Sequence, residues 1–329
     1  LGLRPNWLTS NIMINTDTED NGEIYIGCAG GENVEIHLPI EFEKAEGQAV
    51  QITLKGLRGG HSGCDIHTNR VNAIKLLTRI LSDLYQVEAF QLVNIAGGSV
   101  RNAIPREAYA TLLVKDVAKI TACIEQLQAK FQSEYHLAEP NLTLVAEVTN
   151  SAEKAFTAKA TQTALQFLTL LPNGVIRNSD TVKNVVETSL SIGVLSLQND
   201  QLVGTILSRS LVEHGKEEVR SRLNALAQLT GATVEYSGNY PGWEPAPNSE
   251  ITALTKKIYD EVLGYEAEIK VIHAGLECGL IKEVYPNMDL VSIGPTIRNA
   301  HSPDEKVNIP AVQIYWELLT KLLANAPQK

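Results

Sequence analysis

The sequence predicts an α/β protein whose layers are interrupted by an α+β domain built from two split-βαβ units. Three observations carry this reading. Apolar strand-like runs alternate with helix-period segments near both ends of the chain. From residue 48 to about 148 the order is β-α-β-β-α-β. A similar pattern returns in part before residue 240.

Taken in order, "SNIMINTD" (10–17) is an apolar run that stops at the acidic burst Asp17-Thr18-Glu19-Asp20. It reads as a buried strand with carboxylates at its C-terminal end. "GEIYIGCAGG" (22–31) and "VEIHLPIEFE" (34–43) read as two more strands of the same sheet, separated by a Gly-rich turn. "AVQITLKGL" then opens the inserted domain. Val71, Ile74, Leu77, Ile80, Leu81 and Leu84 recur at helical spacing and predict a helix over 69–87. Two strands, a helix over 117–135 and the strand "NLTLVAEVT" complete the first unit. A helix near 157–171, two strands, a helix over 215–230 and "ATVEYSGNYP" form the second. After the Pro/Gly-rich "YPGWEPAPNS" the α/β alternation resumes: helix 248–263, strand 267–273, helix 276–285, strand 288–293 and helix 310–326. Pro310 falls where the first turn of the last helix is expected.

The bulk numbers narrow the function classes. A length of 329 residues is comfortable for two domains. A net charge of −10 argues against nucleic acid or an anionic membrane as the main partner. No apolar run approaches the roughly 20 residues needed to span a bilayer, and no signal peptide is visible. Cys28, Cys64, Cys123 and Cys278 form no CxxC or zinc-finger spacing and read as reduced thiols of a cytoplasmic protein. The chain starts at Leu1 and enters strand-like sequence at once, which reads as the C-terminal part of something longer.

Several residues could carry chemistry. Asp17 ends a buried strand, where ligands bind in α/β sheets; it also fits a plain turn aspartate in "NTDTEDNG". His301, in "RNAHSPDEKV", follows a short apolar strand and is either a metal ligand or a solvated loop side chain. In "LRGGHSGCDIH" (57–67), Gly59 and Gly60 permit a tight turn that projects His61, suited to a carboxylate or a developing oxyanion. Asn102 in "GGSVRNAIP" is a neutral donor, and Arg209 in "ILSRS" suits bidentate carboxylate binding. "HAGLECG" (273–279), with Gly275, is a turn whose N–H groups could receive an anion, or a plain connection. The G-x-S-x-G elbow, Walker A, GxGxxG and HExxH patterns are all missing from the sequence.

Six motifs in sequence order, "NTDTED", "GGHSGCDIHTNRVNAIKLL", "GGSVRNAIPREA", "GNYPGWEP", "HAGLECG" and "RNAHSPDEKV", resemble the bacterial aminoacyl-histidine (Xaa-His, carnosinase-like) dipeptidase family over nearly the whole chain. The resemblance implies a zinc-peptidase-type catalytic α/β sandwich with an inserted lid domain of two split-βαβ units. The expected division is 1–46 and 242–329 for the catalytic part and 47–241 for the lid. It implies two zinc ions, with cobalt or manganese as substitutes, that activate a water against a small dipeptide. By motif, Asp17 and His301 correspond to metal ligands and His61 to a lid histidine at the reacting centre. Asn102 and Arg209 correspond to groups holding the substrate carboxylate or the tetrahedral intermediate, and Gly275 to a substrate-binding turn. A homodimer is also implied.

One departure matters. The family's remaining metal ligands and its general base lie upstream of the strand ending at Asp17, so the catalytic sandwich is expected to be incomplete in this chain. Two ligands fall short of the about four that zinc prefers. Two other readings stand beside this one: a non-catalytic lid-type binding or dimerisation protein, and a related aminoacylase or tripeptidase. An incomplete sheet would also leave an edge and apolar faces uncovered, with poor solubility expected.

Overall fold

A computed structural model of the chain describes residues 3–180, 182–298 and 305–327. The elements run β1 (Ile12–Asn15), β2 (Glu23–Cys28), β3 (Gly30–Pro39), β4 (Phe42–Lys44), β5 (Gln48–Lys55), β6 (Gly60–His61) and α1 (Ala73–Val87). Then come β7 (Gln91–Gly97), β8 (Ala103–Ile104), β9 (Ala108–Val114), α2 (Val117–Glu134), β10 (Thr143–Val148), β11 (Lys154–Phe156) and α3 (Ala158–Leu170). They continue with β12 (Gly174–Asn178), β13 (Val186–Gln198), β14 (Gln201–Ser210), α4 (Glu213–Thr230), β15 (Thr233–Tyr240) and α5 (Glu250–Leu263). The last are β16 (Glu268–Ile272), α6 (Glu277–Val284), β17 (Asp289–Ser292), β18 (Ile297–Arg298), β19 (Lys306–Val307) and α7 (Ile309–Asn325).

Two sheets organise these elements. The smaller has the order β1-β17-β2-β16. Ile251, Ile258 and Tyr259 of α5 and Leu318 and Leu322 of α7 join Ile24 and Val291 in one apolar cluster. Cys278 of α6 packs with Cys28, Met288 and Leu290 in another. This is the expected α/β layering. Asn308 caps α7 by accepting from the Ala311 N–H, and Pro310 sits in the first turn, where its missing N–H costs nothing. α7 nevertheless leaves Ile309, Val312, Trp316 and Leu323 exposed at helical spacing.

The larger sheet runs β10-β5-β9-β7-β13-β14-β3-β15, with β12 attached to β13. Its main apolar core draws side chains from all of α1, α2, α3 and α4. α1 starts at Ala73, later than the expected residue 69, because the Asn72 side chain accepts from the Ile74 and Lys75 N–H groups and stops the helix there.

Here the structure corrects the sequence reading. Residues 34–43 were expected in the small sheet, yet β3 pairs with β14 along its whole length and with β15 on its other side. The reason lies in its pattern. Val34, Ile36, Leu38 and Ile40 are buried in alternation with Asn33, Glu35, His37 and Pro39, the signature of a strand with one covered face. β3 therefore supplies the first strand of the second split-βαβ unit, β3-α3-β13-β14-α4-β15. Its strand order, β15-β3-β14-β13, repeats the β10-β5-β9-β7 of the first. The first unit is inserted between β3 and α3, and the β4–β11 pair forms the neck of the insertion, with Phe42 edge-on to Phe156. We place the division between the two parts at the break between β2 and β3 rather than at residue 46.

The units meet where β7 touches β13, through the pair Leu195–Gly97. A Cβ on Gly98, whose φ is +69°, would fall 1.9 Å from the Gly193 carbonyl oxygen. Only glycine lets the two backbones come this close.

Candidate functional site

The small sheet's β1 and β2 ends, the β16–α6 turn and the loop after β5 enclose a cavity of about 990 Å³. Asp17, His61, Asn102, Arg209 and Gly275 all line it. His301 lies outside the described residues. A larger cleft, about 1170 Å³, opens by the linker before α5 and is lined by none of these residues.

His61 is held by its own loop. The Gly59 and Gly60 φ angles, +64° and +147°, are ones that side chains rarely tolerate. They turn the chain into β6, where His61 pairs with Ala103 of β8. The His61 N–H donates to the Asp65 carboxylate (2.8 Å), and Asp65 in turn pairs with Arg70. The imidazole Nδ1 accepts from the Gly63 and Cys64 N–H groups (3.2 and 2.9 Å). A nitrogen that accepts two hydrogen bonds carries no proton, so the ring is neutral with its hydrogen on Nε2. Burial first, and then the Arg209 charge, lower the His61 pKa and favour the same state.

Arg209 is held by strands. It lies near the end of β14, opposite Ser189 of β13 on one side and Gly31 of β3 on the other. It is 4 % exposed. Nη1 donates to the Tyr240 hydroxyl (3.2 Å), Nη2 lies 3.4 Å from His61 Nε2, and Nε has no acceptor. Among the described residues no carboxylate pairs with it. The approach of Nη2 to Nε2 sets one donor against another. With the hydrogen on Nε2 it is a contact of two donors rather than a hydrogen bond, and it sets the guanidinium beside the imidazole in the cavity lining.

Asp17 is exposed beyond β1. Its N–H donates to Asn15 Oδ1, which also accepts from the Ser292 hydroxyl and locks β1 to β17. Asp20, paired with Arg298, and Glu23, paired with Lys270, line the same cavity. Glu23 accepts from the Tyr25 hydroxyl, and burial with this carboxylate raises the Tyr25 pKa. The Asn102 carbonyl accepts from the Ser62 N–H (2.8 Å) and so ties the two lid loops together. At Gly275 a Cβ would sit 2.9 Å from the Tyr240 ring, so the turn packs directly on the residue that holds Arg209.

Whether a metal fits can be judged from the donor set. Among the described residues, the group whose three ligand atoms lie within 4.8 Å of one another is Glu35, His37 and Glu235. It sits on β3 and β15, away from the cavity. Asp17 belongs to no such group, so the described residues that line the cavity do not by themselves fit a zinc site.

Sequence reasoning missed Tyr240, Ser189 and His273. His273 is 7 % exposed, and its Nε2 lies 2.7 Å from the Ser189 hydroxyl. Tyr240 and His273 stand in "GNYPGWEP" and "HAGLECG", so the motifs pointed at them without assigning either a partner.

The peptidase dimerisation domain matches residues 52–139, most of the first split-βαβ unit. The cytosol non-specific dipeptidase of Escherichia coli K12 is 45 % identical across all of this chain, a match that spans 68 % of that protein. The chain belongs to this dipeptidase family. The aminoacylhistidine dipeptidase structure from Vibrio alginolyticus superposes with a TM-score of 0.91 at 43 % identity, again over all of this chain and 68 % of the other. The family is one of hydrolases. The α/β architecture with open sheets is the same in the Vibrio enzyme, so the resemblance seen in the sequence holds at the level of family and fold.

Proposed function

We propose that this chain binds dipeptides, Xaa-His (carnosine-like) substrates among them, for hydrolysis. The supporting observation is the buried Arg209, which has no carboxylate partner among the described residues and lines the cavity beside the neutral His61 with its Nε unpaired. A substrate carboxylate, or the oxyanion of the tetrahedral intermediate, is the kind of acceptor a guanidinium and an imidazole N–H suit. Asp17, exposed in the same cavity and in no ion pair among the described residues, gives the opposite charge that a zwitterionic ligand requires.

In this reading Arg209 anchors the anionic end of the dipeptide and Asn102 adds a neutral donor. The His61 Nε2–H faces the reacting centre and stabilises developing negative charge; donors of this kind contribute about 100-fold or more to rate. The family resemblance assigns the attacking water to a metal pair, with Asp17 and His301 among the ligands and zinc, cobalt or manganese as the ion. The donor set described above gives no basis for a step through such an ion. The match to a dimerisation domain supports a homodimer, and the reduced-thiol reading of the cysteines supports a cytoplasmic setting.

The test is hydrolysis and binding of β-alanyl-histidine, its C-terminal amide, alanyl-alanine and an N-acetyl amino acid, with each of the three metals. The dipeptides should bind, the amide should bind at least tenfold more weakly, and Arg209→Met should remove about 100-fold in affinity for the acid alone. Equal binding of acid and amide by the unaltered chain would refute the reading. Preference for the N-acetyl amino acid would favour the aminoacylase alternative.

A further inference from the structure

We propose that His273 is a positioning residue that fixes the Arg209 side chain without neutralising its charge, leaving the guanidinium available to a ligand carboxylate. The inference rests on the dipeptide reading for the identity of that ligand.

The geometry begins in the sheet. Ser189 and Arg209 are direct partners across β13 and β14, so their side chains leave the same face side by side. His273, just beyond β16, reaches this face from the small-sheet part of the molecule, and its Nε2 lies 2.7 Å from Ser189 Oγ. A Cβ on Gly63 would come 2.1 Å from the His273 carbonyl oxygen and 2.9 Å from Arg209 Nε. The loop carrying His61 therefore packs closely on both the Arg209 side chain and the His273 backbone. Ser189 is fully buried, and among the described residues its hydroxyl has this ring as its hydrogen-bond partner.

The choice of side chain at 273 follows from that packing. Arg209 is the charged group acting on the ring, with His61 and His67 nearby. Burial and that guanidinium push the His273 pKa down to about 3, so the ring is neutral at any ordinary pH. Its Nδ1 finds no acceptor of good geometry, although the Val186 backbone is near enough to favour a proton there. Ser189 then donates to Nε2. A carboxylate at 273 would pair with Arg209 and consume its charge. A lysine or arginine would repel it. An aliphatic residue would leave the buried Ser189 hydroxyl without a partner. A neutral polar ring satisfies the hydroxyl and leaves the guanidinium cationic, with no carboxylate partner among the described residues.

Two substitutions separate this from a purely structural role. His273→Gln keeps a neutral group able to meet Ser189, whereas His273→Glu has similar size and adds a charge. The probes are β-alanyl-histidine and its C-terminal amide, with melting temperature measured on the full chain in both the native and the Arg209→Met backgrounds. His273→Gln should bind the dipeptide within about threefold of the unaltered chain, and His273→Glu should lose about tenfold or more for the acid and nothing for the amide. His273→Glu should melt close to the unaltered chain when Arg209 is present and clearly lower in the Arg209→Met background. Unchanged dipeptide affinity in His273→Glu, or an equal loss in His273→Gln, would overturn the proposal. So would a melting cost that is the same with and without Arg209. If the unaltered chain fails to distinguish acid from amide, the dipeptide reading falls, and the melting comparison still decides whether position 273 acts through Arg209.

Discussion

The first split-βαβ unit hangs His61 from a loop, whereas the second carries Arg209 inside a strand with ladder partners on both sides. The strand needs no further brace, since its backbone is committed to the sheet. The loop is braced from outside. Glu139, 1 % exposed, accepts from the Arg58 N–H (2.7 Å) and the Val71 N–H (2.9 Å), gripping the loop before and after His61. Arg70 adds a bond to the Gly59 carbonyl (2.7 Å). The contrast separates two ways of making a site: one moves only when the sheet unfolds, the other when its brace is cut.

The largest expected effect comes from cutting that brace. Glu139→Ala leaves two N–H groups of the loop without an acceptor and should cost about 3 kcal/mol of stability by urea denaturation. Its loss of dipeptide affinity should come with altered His61 ring signals in NMR and unchanged amide exchange at Arg209. Equal loosening at both positions would erase the distinction between loop and strand. A second test is acid titration. The depressed His273 pKa, about 3 against an ordinary 6.5, means that the unfolded chain takes up this proton first. Stability present above pH 6.5 should therefore fall as pH drops toward 3, by at most about 1.4 kcal/mol per pH unit from this site. The half-buried His61 acts in the same direction. Urea midpoints at pH 7, 5.5 and 4.5 should show a shallower decline in His273→Gln than in the unaltered chain.

A smaller effect sharpens the comparison from the side of the second unit. Lys216, 1 % exposed on α4, donates to Asn239 Oδ1 (2.5 Å) and the Tyr240 carbonyl (3.1 Å) at the end of β15. Lys216→Met should weaken dipeptide binding by about threefold through Tyr240, with a melting shift of a few degrees. The smallest effect on binding is expected at Asn72, where Asn72→Ala removes the α1 cap and the amide's bonds to the Ile192 carbonyl and Asn173 and should cost about 2 kcal/mol of stability with binding unchanged.

The first unit could be read from sequence because it is contiguous and its helices carry clear apolar periodicity. The second could be read only in part. Its opening strand lies upstream of the whole first unit, and nothing local in "VEIHLPIEFE" says which sheet a strand will join. The clue was there in the alternation of Val34, Ile36 and Leu38 with Glu35 and His37, which suits a sheet covered on one face better than a strand buried on both. At the site, the motif residues Asp17, His61, Asn102, Arg209 and Gly275 do line one cavity. The grouping of Tyr240, Ser189 and His273 around Arg209 was hidden, since it depends on strand register and on the close approach of two glycine turns.

The placement of β3 also has a consequence during synthesis. It ends at Pro39, yet its partners β14 and β15 begin only at Gln201 and Thr233. At roughly 5–20 residues per second, a nascent chain holds this strand unpaired for on the order of ten seconds or more. The inserted unit can fold meanwhile as a compact body tethered at both ends of its neck. A ribosome-bound chain stalled before residue 200 should thus display a finished first unit and a bare apolar strand, an obvious handle for a holding chaperone.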